Sequence, residues 1–304
     1  MSVITLFDPW RDPLCTCPPK YTLSPYISCG HACVYCYITS YIRGGFNPRA
    51  KHKFISRLLR DLRKIDPTLP ISMANSSDPY TPPESSLCLT RKALSILIPK
   101  GCKIQILTKS TLVLRDIDLI KKGNVVVSIT ITTLNERKAK RIETKAPSPQ
   151  ERLKVVNILS REGIPCIVRV DPLLPGVNCD EGELKELIKA IADAGAKHIV
   201  ASTYKARPDS LKRIINIFPE LRDLYIEKYR EKGERRKRFV WYLDRKEREE
   251  MLKMVRELVL ESGLTFGVCR EGMPYLNTAP TCDGTHLIPI RIQPGGKSLS
   301  RWIK

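Results

Sequence analysis

The sequence predicts an α/β chain organised around a parallel sheet, and three observations carry that prediction. Gly101, Gly123, Gly163 and Gly195 each close a helical pattern and are followed at once by an apolar run. These runs are continuous rather than alternating, as in strands buried on both faces. Polar residues gather just after them, as Asn75-Ser76-Ser77-Asp78, Thr108-Lys109-Ser110, Ser128-Ile129-Thr130, Asp171 and Ser202-Thr203-Tyr204. That is the strand end where α/β proteins place their sites.

Taken in chain order, the first short apolar segments are Leu23 to Ile27 and Ile71 to Ala74, each followed by a helical pattern, at about Pro48 to Ile65 and Ser86 to Leu97. Four longer runs follow, beginning at Ile104, Val125, Cys166 and His198. The segment Asp180 to Ala194 shows the helix logic most fully. Asp180 is a natural N-cap, acids fill the first turn, and Leu184, Leu187, Ile188 and Ile191 share one face before Gly195. Six strand-then-helix units admit either an open doubly wound sheet or a partial barrel, and pattern alone does not choose between them.

Beyond about Tyr225 the character changes to a long charged helix broken near Gly233, followed by the basic run Glu234-Arg235-Arg236-Lys237-Arg238 and then Phe239, Trp241 and Tyr242. Basic side chains beside aromatics suit phosphate contacts and base stacking, or equally a solvated face with a buried aromatic edge. Lys246 to Ser262 reads as a further helix and Leu264 to Val268 as a seventh strand, before an irregular tail from Arg270. The expected division is an N-terminal segment 1–22, a core domain 23–225, and a basic helical C-terminal extension 226–304.

The chain has 304 residues, of which 42% are hydrophobic and 28% charged, a composition for a packed globular core rather than disorder. No segment approaches the roughly 18 to 20 apolar residues of a membrane span, and residues 1–11 lack the order of a signal peptide. The expected location is the cytoplasm, with no membrane partner. Lys and Arg number 52 against 32 Asp and Glu, a net charge of +20. Such a field favours polyanions, nucleic acid first among them. The plainer alternative is the solvated basic surface of a thermophile.

Eleven cysteines without an export signal point to metal or redox chemistry. Cys88, Cys102, Cys166 and Cys179 are scattered and read as small hydrophobes or thermophile disulfides. The informative cluster is Cys29-Gly30-His31-Ala32-Cys33-Val34-Tyr35-Cys36, directly after the first predicted strand. A closed zinc site wants four ligands, whereas a [4Fe-4S] cluster held by three cysteines leaves one iron open. His31 is the alternative fourth zinc ligand, crowded between two of the thiols.

The CxxxCxxC loop, the aromatic Tyr35 before its last cysteine and the six βα units resemble the radical S-adenosylmethionine (radical SAM) enzymes. Asn75-Ser76-Ser77-Asp78-Pro79-Tyr80, Ser128 to Thr133 and Ala146 to Arg152 are similar to the spore photoproduct lyase branch. The resemblance covers about Leu23 to Lys205 and implies a partial (β/α)6 TIM-like barrel. It implies a [4Fe-4S] cluster on Cys29, Cys33 and Cys36 whose open iron chelates S-adenosylmethionine. A 5′-deoxyadenosyl radical then abstracts a substrate hydrogen, after one electron from a donor such as a ferredoxin or flavodoxin. It further implies that Ser77 and Lys109 contact the methionyl end of the cofactor, Ser128 its ribose or carboxylate, and Tyr35 its adenine. One departure stands out. Where the lyase keeps a cysteine hydrogen donor after the second strand, this chain aligns Asn75, so the lyase reaction itself is not carried over. Cys88 is the nearest other thiol in sequence.

Cys15, Cys17, Cys269 and Cys282 flank the barrel and fall outside the resemblance. They form a candidate second site for an auxiliary iron-sulfur cluster or a zinc ion, with His286 as an alternative zinc ligand and two terminal disulfides as the plain reading. The leading expectation is a radical SAM enzyme acting on a large anionic substrate, nucleic acid, with Phe239, Trp241 or Tyr242 stacking on an extruded base. Two other readings stand beside it. One is a peptide- or protein-modifying radical SAM enzyme with an auxiliary cluster; the other is a zinc-stabilised nucleic-acid binding protein without catalysis.

Overall fold

The computed structural model describes residues 2–8, 12–236 and 239–291. Its strands, in chain order, are β1 (Ile4–Leu6), β2 (Tyr21–Leu23), β3 (Tyr26–Ile27), β4 (Arg49–Ala50), β5 (Ile71–Met73), β6 (Lys103–Thr108), β7 (Asn124–Thr130), β8 (Cys166–Leu173), β9 (His198–Thr203), β10 (Glu234–Arg236), β11 (Val240–Tyr242) and β12 (Thr265–Val268). The helices are α1 (Phe54–Asp61), α2 (Glu84–Leu87), α3 (Leu89–Leu97), α4 (Ile117–Ile120), α5 (Glu136–Ile142), α6 (Pro149–Arg161), α7 (Glu181–Asp193), α8 (Pro208–Ile217), α9 (Arg222–Ile226) and α10 (Arg245–Glu261).

Eight strands form one sheet in the order β1-β2-β5-β6-β7-β8-β9-β12. Every neighbouring pair from β2 to β12 is parallel, and only β1 runs antiparallel, against β2. The sheet does not close, as expected of a partial TIM-like barrel. All seven residues of β7 are buried, which is what a continuous apolar run predicts for a strand covered on both faces. The outer face packs Val125, Val127 and Ile129 under the helices, with Val155, Val156 and Leu159 of α6 and Leu187 and Ile191 of α7. On the inner face Val126, Ile167 and Val200 meet Ile288 from the tail. Strand alternation therefore puts Ser128 on that inner face too.

The predicted helix at 180–194 is α7, and Asp180 caps it by accepting from the Glu183 N–H at 2.9 Å. Other elements depart from expectation for local reasons. The first strand, expected over 23–27, breaks at Ser24-Pro25, since proline has no N–H to continue a ladder. Its second half, β3, leaves the sheet to pair with β4. That pairing uses residues 49–50, so the helix expected from Pro48 starts only at Phe54, after Lys53 in a left-handed conformation (φ 48°). The helix expected over 86–97 is split at Cys88 (φ 51°). The Glu84 carboxylate accepts from the Thr90 and Arg91 N–H groups at 2.8 and 3.2 Å and so caps α3 from a distance.

The C-terminal part differs most. The expected long helix after Tyr225 is α9 followed by a π-helical turn, Glu227–Glu231. The basic run is no helix: Glu234, Arg235 and Arg236 form β10 of a hairpin with β11, while Lys237 and Arg238 lie outside the described residues. Neither expected boundary, at 22/23 or 225/226, interrupts the sheet, because β2 begins at Tyr21 and β12 joins β9 as its parallel neighbour. No helix among the described residues is long and apolar enough to cross a membrane.

Candidate functional site

Cys29, Cys33 and Cys36 lie on the loop between β3 and Ile38, with Cys33 buried and the other two half-buried. Every neighbouring layer fastens this loop. The Cys29 N–H donates to Gly45 O at 3.0 Å and the Val34 N–H to Ile142 O at 2.9 Å. From α8, Arg213 donates to Val34 O at 2.9 Å and to Cys36 O at 2.6 Å. Gly30 donates to Thr81 Oγ1 at 2.8 Å, and a Cβ at Gly30 would stand 2.6 Å from Pro82 Cδ. The loop therefore needs glycine there. Ser28 and Ala32 inside it, and Ala74 beyond β5, hold φ angles of 71°, 50° and 55°. Such left-handed residues without glycine cost of order 1–3 kcal/mol each and gather at sites that fix their backbone.

Asp78 is the hub that joins the loop to the sheet. It accepts from the Thr108 hydroxyl at 2.7 Å and the Lys109 N–H at 2.8 Å, and its carboxylate lies 3.0 Å from His31 Nε2. Burial opposes its charge, but His31 and these donors hold its carboxyl below the usual range. His31 Nε2 is thus engaged by an acid, while its Nδ1 is buried without a hydrogen-bond partner.

A second buried acid, Glu143 at the C-cap of α5, faces the loop from the other side. It accepts from the Tyr35 hydroxyl, lies 2.5 Å from Arg152 Nη2, and stands 3.9 Å from the Lys109 ammonium. Burial works against its ionisation, and Arg152 and Lys109 outweigh that, lowering its pKa. The Lys109 ammonium also lies 5.6 Å from the Tyr35 ring centroid. Burial pushes the Cys33 thiol up to about 12, and Lys109 pulls against it.

The sequence placed Lys109, Tyr35 and the three cysteines together, and the structure does bring them together. Ser77 is close by, but its hydroxyl donates to Ser28 O at 2.6 Å and so braces the loop. Ser128 is buried and its Oγ has no partner. Asn75 donates to Thr22 Oγ1 at 2.8 Å, an amide where the resemblance has a thiol. Cys88 sits at the α2–α3 junction with Arg115 3.6 Å away. Cys102 and Cys166 are core residues, as expected. Glu143 was missed, although an acid at the C-terminal end of the basic helix Glu136–Ile142 opposes the helix dipole and was a readable anomaly. Trp241 and Tyr242 are 6% and 5% exposed, which removes them as stacking platforms, whereas Phe239 is 59% exposed. Trp241 packs into the core cluster with Tyr204 and Tyr229, and Tyr242, on the other face of β11, lies against Lys205, Arg236 and Arg248.

Among the described residues no three cysteine, histidine or acidic donors already enclose a point that one ion could fill. Three thiols on one short loop and the Lys109 ammonium acting on Cys33 fit a three-cysteine [4Fe-4S] cluster with one iron left for a small ligand.

The family model of the radical SAM superfamily matches residues 23–188. The chain belongs to the radical SAM superfamily. A Methanocaldococcus jannaschii protein of uncharacterised function is 32% identical over 211 residues, 65% of this chain and 80% of that one. The radical SAM Nα-GlyT isomerase of Pseudomonas phage M6 is 22% identical over 252 residues, 80% of this chain and 52% of that one. Spore photoproduct lyase, solved as a double mutant with bound AdoMet and dinucleoside spore photoproduct, superimposes with a TM-score of 0.64 at 17% identity, covering 79% of this chain and 73% of that one. The last likeness is one of fold. As a radical SAM protein the chain is an enzyme, which sets aside the reading without catalysis, and its family implies a [4Fe-4S] cluster and S-adenosylmethionine.

Proposed function

We propose that this enzyme binds its cluster through Cys29, Cys33 and Cys36 and abstracts hydrogen from a nucleic acid, in a modification or repair reaction in the cytoplasm. The observation that carries the first part is the three-thiol loop with the Lys109 ammonium and Glu143 beside Cys33. When bound, the cluster and S-adenosylmethionine supply a 5′-deoxyadenosyl radical able to take a hydrogen atom from the substrate.

The protein's own residues do the rest. Arg213 holds the carbonyls of Val34 and Cys36, and Asp78 holds His31, so the thiols are presented from a fixed loop. Lys109 opposes the negative charge of the thiolates and is placed for a carboxylate of the cofactor. Ser128 offers an unused hydroxyl to the cofactor's ribose or carboxylate, and Tyr35, pinned by Glu143, offers a ring face to its adenine. A ferredoxin or flavodoxin would deliver the electron.

Nucleic acid is favoured by the net charge of +20 and by the hairpin β10–β11. There the exposed Phe239 ring lies 5.1 Å from the Arg235 guanidinium, a pairing suited to a base and its phosphate. The solved lyase, which shares the fold, has both AdoMet and a dinucleoside bound. The test is 5′-deoxyadenosine release by the reconstituted, reduced enzyme given single-stranded DNA, RNA or a peptide pool. Stimulation by a nucleic acid supports the reading, and stimulation by peptides alone replaces it with the protein-modifying one.

A further inference from the structure

The four cysteines outside the family match converge across the open seam of the barrel. Cys15 and Cys17 lie between β1, the edge strand on one side of the sheet, and its neighbour β2, and Cys269 and Cys282 follow β12, the edge strand on the other side. Three contacts already bridge that seam: the Gly272 N–H donates to Leu14 O at 3.1 Å, Arg270 pairs with Asp8 at 3.1 Å, and buried Lys20 pairs with buried Asp283. The Cys282 backbone runs so close to β12 that a Cβ at Gly267 would stand 2.3 Å from Cys282 O. Glycine there lets the tail enter.

The Cys17 and Cys282 sulfurs stand 3.6 Å apart as free thiols. A disulfide would need about 2.05 Å. Two sulfurs each about 2.3 Å from one tetrahedral zinc stand about 3.8 Å apart, whereas cysteines of a cubane cluster take separate irons and spread further. Cys15 lies beside Cys17, and Cys269 is near enough to Cys17 and Cys282 for their charges to interact. Around them the cations of Arg169, Arg270 and Lys20 interact electrostatically with Cys269, with Cys15 and Cys269, and with Cys17 and Cys282 respectively. Each of these cations is shared between an acid and a sulfur, as outer groups do around a metal-bound thiolate. His286 is engaged elsewhere, its Nδ1 2.9 Å from Thr281 Oγ1 and its ring against His198.

We infer that Cys15, Cys17, Cys269 and Cys282 form a structural zinc site that clips the two edges of the open barrel together. Cys17 and Cys282 are the preformed half, and Cys15 and Cys269 turn their sulfurs onto the ion. Four thiols lose their protons to solvent as the metal binds. The inference is independent of the substrate and of the reaction at the first site.

The test is metal analysis of the full chain purified anaerobically from cells supplied with both iron and zinc. It compares wild type, a Cys29→Ala/Cys33→Ala/Cys36→Ala triple variant and a Cys17→Ser/Cys282→Ser double variant. About one zinc per chain is expected in the wild type and the triple variant, and almost none in the double variant. Because the double variant can fail to fold, Co²⁺ is also titrated into metal-stripped triple variant, where a tetrahedral thiolate spectrum is expected. Zinc that persists in the double variant, iron bound by the triple variant, a Cys17–Cys282 disulfide by mass spectrometry, or Co²⁺ without a thiolate spectrum would each overturn it.

Discussion

The Lys109 ammonium stands 3.9 Å from the Glu143 carboxylate, so the residue expected to hold the cofactor's carboxylate already has an acid of the protein beside it. That acid is shared with Arg152 and Tyr35, and Arg152 is anchored in turn to Thr130 O at 2.7 Å. The candidate site thus contains a charge network whose members come from the residue after β6, the C-cap of α5, α6 and the cysteine loop.

Glu143→Gln removes the one carboxylate that Arg152 and Lys109 share. Arg152 is 1% exposed, and an unpaired buried charge costs about 3–5 kcal/mol. Urea unfolding of the cluster-free chain should show a loss of that size. A loss under about 1 kcal/mol would mean the network carries little of the fold.

The same network fixes the direction of pH dependence. Asp78 and Glu143 both titrate below their ordinary range, burial opposing their charge while His31 in one case and Arg152 with Lys109 in the other prevail. Their contribution is complete above the ordinary carboxylate values near 4 and is lost as pH falls through the depressed folded values. The urea midpoint should therefore hold level from neutrality to about pH 5 and fall below it, less steeply in Glu143→Gln. A midpoint that rises on acidification contradicts the assignment.

Gly30→Ala should act on the loop more than on the fold. Its Cβ would meet the Pro82 ring at 2.6 Å, and the strained loop is the part able to yield. Iron incorporation during reconstitution is expected to fall severalfold while the thermal midpoint moves by only a few degrees. Full iron content in the variant would show that the loop tolerates displacement.

Ser128→Ala separates a ligand contact from a structural one. The hydroxyl is buried without a partner, so its removal should leave stability unchanged or raise it. S-adenosylmethionine binding, by equilibrium dialysis, should weaken by about 1 kcal/mol, roughly fivefold. A destabilised fold with unchanged cofactor affinity would reverse the assignment.

Phe239→Ala and Trp241→Ala should part company. The exposed Phe239 should contribute about 1–3 kcal/mol to single-strand binding and nothing to stability. Trp241, buried with Arg230 4.0 Å from its ring centroid, should cost about 3–5 kcal/mol of stability. Single-strand binding measured by fluorescence anisotropy, with circular dichroism as the fold control, distinguishes the two.

The sheet was legible because its longer strands are largely apolar runs, each preceded by a helix-closing glycine, and the cysteine loop because of its spacing. What escaped depends on contacts distant in sequence. Nothing local announces that Glu84 caps a helix it does not belong to, or that Ser24-Pro25 diverts the first strand into a ribbon with Arg49–Ala50. The burial of Trp241 and Tyr242 required knowing that Arg235 and Arg236 lie in a hairpin. Ser77 carried the motif, and only the structure shows that its hydroxyl also donates to Ser28 O.

The most direct test of the central claim is hydrogen transfer itself. The reduced, reconstituted enzyme is given S-adenosylmethionine and deuterated nucleic acid, and the released 5′-deoxyadenosine is analysed by mass spectrometry for wild type and Cys33→Ala. The account predicts deuterium in the wild-type product and no product from the variant. Unlabelled 5′-deoxyadenosine from the wild type would place the abstracted hydrogen on some other substrate, and product from Cys33→Ala would remove the cluster loop from the chemistry.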